Sequence, residues 1–187
     1  MTQNLYALLR SRFPPERDAL FVTIPKGRSI PYSSIDQITA RFAGALRNLG
    51  VTRGERLLIS VDKSPEAILV YLAALRLGAI FVPLNPAYTA REFKYFLHDA
   101  QPRTVILRPN YDSEKQQISE EAGVKTTSLD AFNNGSFIES ANATSPYYEI
   151  EAVDSNLPAA ILYTSGTTGL SKGAILTHSN LIRNGLT

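Results

Sequence analysis

The chain has 187 residues, enough for one domain that buries roughly 70% of the surface its unfolded form exposes. Its 44% apolar and 19% charged residues are those of a globular protein, and a formal net charge of +2 without a clustered basic face argues against a nucleic-acid partner. With no cysteine in the chain, disulfides, thiolate metal sites and cysteine nucleophiles are excluded together, which fits a reducing compartment.

The opening stretch MTQNLYALLRSRFPPERDAL lacks the apolar run of a secretory signal, and no segment approaches the ~20 apolar residues of a membrane span. An intracellular, cytoplasmic location is expected. The glycosylation sequons at Asn134 and Asn142 are therefore read as chance occurrences.

Helical spacing of Ile35, Ile38, Phe42, Ala45, Leu46 and Leu49 predicts a helix over 33–49, with Ser33 or Ser34 as its cap and Gly50 at its left-handed end. Leu57 to Val61 reads as a buried strand. Pro65 opens a helix that runs to Leu77 and is apolar on most sides, hence sandwiched between layers. Ala79 to Val82 is the next strand. Pro83 and Pro86 then force an extended passage, because proline disfavours helix before it and donates no hydrogen bond. Thr89 and Glu92 form a capping box for a helix ending near Asp99, and Thr104 to Leu107 is a third strand. This alternation predicts an α/β fold, layered, with a largely parallel sheet flanked by helices.

From 109 to 157 the pattern is weaker. A helix is expected over Ser113 to Ala122, and the turn-rich NNGSFIESANATSP is read as a long surface connection. Ala160 to Tyr163 and Ala174 to Leu176 read as strands around a glycine-rich loop, after which Ser179 caps a last helix.

That loop, YTSGTTGLSKG from Tyr163 to Gly173, carries the chemistry. Thr164, Ser165, Thr167 and Thr168 supply hydroxyls. Gly166, Gly169 and Gly173 let backbone amides approach a ligand closely, as in an anion-binding nest. Lys172 adds a mobile positive charge, worth about 4 kcal/mol against one phosphate charge at ~4 Å and an effective dielectric near 20, before desolvation. Hydroxyls, bare amides and one lysine are what a polyphosphate requires. The spacing is not that of a Walker loop, whose lysine follows its second glycine at once and whose flanks are a strand and a helix. Here strand joins strand. A ligand-free solvent-exposed hairpin is the competing reading, and it requires eleven consecutive residues to match a phosphate loop by accident.

YTSGTTGLSKG resembles the signature phosphate loop of the adenylate-forming (AMP-binding) superfamily, which includes acyl-CoA synthetases, peptide-synthetase adenylation domains and luciferases. Ser171 stands where the usual motif has proline. The following AILTHSNL, and upstream Ile30 to Ile59 and Leu75 to Ile106, resemble further family blocks in family order. Lys63 to Pro102 is similar to malonyl-CoA synthetases in particular. The resemblance implies the N-terminal portion of the large domain of such an enzyme, residues 1–187 forming a partial adenylation domain with the C-terminal domain and its catalytic lysine beyond the chain. It implies ATP, magnesium and coenzyme A as reaction partners together with a small carboxylate. It implies that Thr164, Ser165, Gly166, Thr167, Thr168, Gly169 and Lys172 bind the nucleotide phosphates, with a magnesium contact at Thr164.

Few rivals exist elsewhere. His98 reads as a surface residue at a helix end and His178 as part of a helix start. Asp62 and Glu66 fall at a strand exit and a first helical turn. Phe93, Tyr95 and Phe96 read as core packing. Arg53, Glu55 and Arg56 read as a solvated charged turn. Two readings of the whole remain: a piece of an AMP-forming acyl-CoA synthetase, inactive by itself, or a non-enzymatic remnant that binds nucleotide weakly or serves as an interaction module.

Overall fold

The computed structural model describes residues 3–16, 18–24, 27–164 and 171–186. Its elements run α1 (Leu5–Ser11), β1 (Leu20–Thr23), β2 (Ser29–Pro31), α2 (Tyr32–Asn48), β3 (Arg56–Ser60), α3 (Pro65–Arg76), β4 (Ile80–Pro83), α4 (Ala90–Ala100), β5 (Thr104–Leu107), α5 (Ser113–Glu121), β6 (Lys125–Ser128), α6 (Ser136–Ala143), β7 (Pro158–Thr164), β8 (Lys172–Thr177) and α7 (His178–Leu186). Among the described residues, no helix is long and apolar enough to cross a membrane.

Local chemistry explains most boundaries. Pro65 is the first residue of α3, and the Ser64 hydroxyl before it accepts the Ala67 amide at 3.2 Å. Thr89 and Glu92 form a complete capping box on α4. Gly50 follows α2 at φ 93°, the left-handed conformation expected of it. The start of α2 differs from expectation. Pro31, extended at φ −77°, occupies the cap position and makes no side-chain cap bond, so Ser33 and Ser34 lie inside the first turn.

Six strands form one sheet in the order β6-β5-β3-β4-β7-β8, all parallel except β8, which runs antiparallel to β7. The period of two along each strand divides the core. Leu57, Ile59, Phe81 and Ile106 face one layer, packed with α1, α2, α3 and α6. Leu58, Val82, Val105 and Leu107 face the other, where Phe93, Phe96 and Leu97 of α4 pack. The sheet thus lies between two helical layers, the layered α/β architecture expected. β1 and β2 form a separate antiparallel hairpin.

The stretch over 133–146 departs from the reading of a surface connection. It contains α6, whose Phe137, Ile138 and Ala141 are buried, with the Phe137 ring 5.1 Å from that of Phe42. Small polar residues hide a narrow apolar stripe that packing against α2 helps to complete. The charged turn is corrected at Arg56, while Arg53 is exposed as expected. Arg56 opens β3, and its guanidinium donates to the carbonyls of Ala100 at 3.1 Å and Gln101 at 2.7 Å, satisfying the open end of α4. At the heart of the first layer Arg76 is wholly buried. It donates to the Tyr6 hydroxyl at 2.7 Å and the Tyr148 carbonyl at 2.6 Å, and it pairs with the Asp36 carboxylate.

Candidate phosphate-binding site

β7 is parallel to β4, so it delivers its carboxyl end to the same side of the sheet as β3, β4 and β5. Ligands of open α/β sheets gather on that side. The chain turns there into β8, and the ladder runs from Pro158↔Thr177 to Tyr163↔Gly173 and Thr164↔Lys172. Thr164 and Lys172 therefore face each other at the mouth of the turn, both exposed. Ser165, Gly166, Thr167, Thr168 and Gly169 lie outside the described residues.

Both stems are gripped by α4. The Tyr163 hydroxyl donates to Asp99 Oδ2 at 2.5 Å, and the Tyr95 hydroxyl donates to the Ser171 carbonyl at 2.8 Å. The Phe96 ring lies 4.6 Å from that of Tyr163. Burial, and then the Asp99 carboxylate, push the Tyr163 phenol well above its ordinary value, so it remains a donor. Gly173 makes this packing possible: a Cβ there would stand 2.9 Å from Ile161 Cγ2 and 3.3 Å from the Tyr163 ring. Phe93 and Phe96 are buried as expected, but Tyr95 is more than packing.

At the base of the hairpin the cap differs from the expected Ser179. The Thr177 hydroxyl accepts the Asn180 amide at 3.1 Å, and Asn180 Oδ1 accepts the Thr177 amide at 3.0 Å. His178 is fully buried, and its Nδ1 accepts the Leu5 amide at 3.2 Å. Burial holds this imidazole below its ordinary value, so it is neutral with its proton on Nε2. His98 is exposed in the last turn of α4. Asp62 and Glu66 have separate partners: Arg108 lies 3.7 Å from the first, and Arg28 pairs with the second.

β3 leads towards β4 while β5 leads towards β6, so the sheet has a topological switch between β3 and β5. At the carboxyl ends of β3 and β4 opens a groove of about 970 Å³, lined by Val22, Ile59, Val61, Phe81 and Leu84 with Lys63 among its polar residues. Arg108, just past β5, grips Asp112 with Nε at 3.0 Å and a second nitrogen at 3.0 Å, and Lys115 joins Asp112 at 3.1 Å. Burial raises the Asp112 carboxyl, but its bonds to Arg108 and Lys115 outweigh this and hold it below the usual range. Sequence reasoning passed over this cluster, although its i,i+4 and i,i+3 spacings at a strand–helix junction carry the signal. Among the described residues, no group of three or more His, Cys, Asp or Glu side chains could hold a metal.

Known proteins share this fold. The family model described as "AMP-binding enzyme" matches residues 10–187. The crystal structure of ATP-bound MatB from Rhodopseudomonas palustris superposes with a TM-score of 0.92 at 35% identity, over all of this chain and 37% of that one. A benzoate CoA ligase from Burkholderia xenovorans LB400 superposes with a TM-score of 0.85 at 26% identity, over 97% of this chain and 36% of that one. The 4-coumarate–CoA ligase CCL1 of Humulus lupulus is 32% identical over 161 residues, which is 83% of this chain and 29% of the ligase. The chain thus spans little more than a third of the solved relatives and less than a third of the plant ligase. With 178 of its 187 residues inside the family match (10 through 187), this chain belongs to the AMP-binding family of adenylate-forming enzymes.

Proposed function

We propose that this chain forms the phosphate-binding part of an AMP-forming acyl-CoA synthetase, an acid–thiol ligase whose carboxylate is malonate. In the complete enzyme a carboxylate oxygen attacks the α-phosphorus of ATP, and the α–β phosphoanhydride bond breaks to give acyl-adenylate and pyrophosphate. The thiol of coenzyme A then attacks the acyl carbon and displaces AMP. The observation that carries the reading is the Thr164–Lys172 pair, which opposes a hydroxyl and an ammonium at the mouth of a glycine- and threonine-rich turn on the carboxyl side of the sheet.

In this reading Thr164, Ser165, Gly166, Thr167, Thr168, Gly169 and Lys172 hold the β- and γ-phosphates, where charge grows as pyrophosphate leaves. Magnesium fits Thr164 by donor chemistry, since this ion takes one or two protein oxygens and completes its shell with phosphate and water. When bound it would neutralise phosphate charge. The preference for malonate rests on the resemblance of Lys63 to Pro102 to malonyl-CoA synthetases and on Ser171. In this reading the chain supplies only the phosphate-binding part of the site, and the 187-residue chain by itself is inactive.

The test compares kcat/KM for malonate, acetate and palmitate in the synthetase that carries this chain. Malonate is expected to lead, and a palmitate preference would defeat the substrate assignment. ATP–pyrophosphate exchange by the 187-residue chain alone, abolished by Lys172→Ala, would defeat the assignment of the missing machinery.

A further inference from the structure

We propose that Tyr95, Asp99 and Tyr163 are positioning residues: one face of α4 grips the stem on each side of the phosphate loop and sets how Thr164 and Lys172 are presented. This inference rests on the reading of the loop as a polyphosphate site and deepens it.

Tyr95 and Asp99 are one helical turn apart and project from the same face of α4. Tyr163 immediately precedes Thr164, and Ser171 immediately precedes Lys172. The two hydrogen bonds, 2.5 Å from Tyr163 to Asp99 and 2.8 Å from Tyr95 to the Ser171 carbonyl, therefore fall on the last residue before each phosphate-facing side chain. The neighbouring strand cannot substitute for this grip. β4 registers with β7 at Phe81↔Ala160, below Tyr163, and β8 is the outer strand of the sheet.

The helix is itself fixed at both ends, by its capping box and by the Arg56 guanidinium on the Ala100 and Gln101 carbonyls. A carboxylate acceptor makes the Tyr163 bond the stronger of the two. The Phe96 ring, 4.6 Å from Tyr163 and 5.4 Å from Tyr95, fills the space between the two phenols. A rigid helix thus transmits its position to both sides of the loop through two phenols, using no phosphate-contacting residue.

The experiment is amide hydrogen exchange on the synthetase that carries this chain, with inorganic tripolyphosphate and magnesium as the probe. Tyr95→Phe and Asp99→Ala should each speed exchange in 161–164 and 172–175 by about tenfold, with α2 and α3 unchanged. Asp99→Asn keeps an acceptor and should restore most of the protection. Unchanged stems, an equal rise throughout α2 and α3, or an Asn variant no better than Ala would overturn the proposal. Tripolyphosphate should slow exchange in the wild-type stems, Lys172→Ala should abolish that response, and Tyr95→Phe and Asp99→Ala should raise its half-saturating concentration about tenfold. If wild type and Lys172→Ala respond alike, the phosphate reading fails and takes this inference with it. If the response depends on Lys172 but its half-saturating concentration is unmoved in the α4 variants, the positioning role alone fails.

Discussion

Thr164 and Lys172 are cross-strand partners on the last described rung of the β7–β8 hairpin. Their backbones are fixed by the ladder while their side chains, both exposed, are free to meet a ligand. In the proposed enzyme the ammonium matters most as the α–β bond breaks, so it stabilises the transition state more than bound ATP. Lys172→Ala should slow adenylation by roughly a hundredfold, consistent with ~3 kcal/mol for one well-placed donor. Thioester formation from preformed acyl-adenylate should be spared, and Lys172→Arg should rescue in part, since a planar fork does not reproduce a compact charge. Single-turnover kinetics of each half-reaction provides the check, and equal impairment of both halves would defeat the assignment.

Gly173→Ala should destabilise the hairpin. The added methyl would meet Ile161 Cγ2 at 2.9 Å and the Tyr163 ring at 3.3 Å, and a β-branched methyl on a strand has little room to retreat. The expected cost is about 1–3 kcal/mol, typical of overpacking. Urea unfolding followed by tyrosine fluorescence measures it, and a variant as stable as wild type would show that the ring moves freely.

Asp36→Ala should leave the wholly buried Arg76 without its carboxylate. Asp36 is 32% exposed, so the expected loss of about 2 kcal/mol falls below that of a fully buried pair. Replacing both partners, as Asp36→Leu with Arg76→Met, should recover much of it, because no charge then remains buried. The urea midpoints of the single and double variants decide the matter.

Stability should fall in mild acid through His178. Its folded-state value is lowered from 6.5 by burial, so the unfolded chain takes up the proton first. The contribution of the neutral imidazole is present above pH 6.5 and is lost as pH falls from there towards the folded value. Stability should therefore fall as pH is lowered from about 7.5 to about 5.5. His178→Gln should be less stable at pH 7.5 yet show a shallower slope, and identical slopes would place the titration elsewhere.

What was legible in the sequence was what neighbouring residues decide. Pro65 at the start of its helix, Thr89 with Glu92, and the apolar run Thr104–Leu107 carry their own instructions within a few positions, and the structure follows them. α6 was hidden because its apolar stripe has meaning only against Phe42 of α2, and β6, Lys125–Ser128, because its threonine-rich run has no alternating apolar pattern. Arg56 looked like a solvated charge until α4 brought two open carbonyls to it. The same holds at the site. The chemistry proposed for Thr164 and Lys172 is read from type and spacing, whereas the bonds of Tyr95 and Asp99 go to partners 76 and 64 positions away. The distances between Ser165 and Gly169 fall outside the described residues.

The strand order also dictates a schedule for synthesis. β3, β4, β5 and β6 can pair as soon as residues up to Ser128 have emerged, but the place beside β4 is filled only by β7, which begins at Pro158. α1, the first helix made, donates its Leu5 amide to His178 at a separation of 173 residues. At about 5–20 residues per second, a nascent chain therefore carries an unpaired β4 edge, and a first helix still short of its His178 contact, for seconds on the ribosome. Those seconds are when edge-to-edge association threatens, and when a holding chaperone would find its grip.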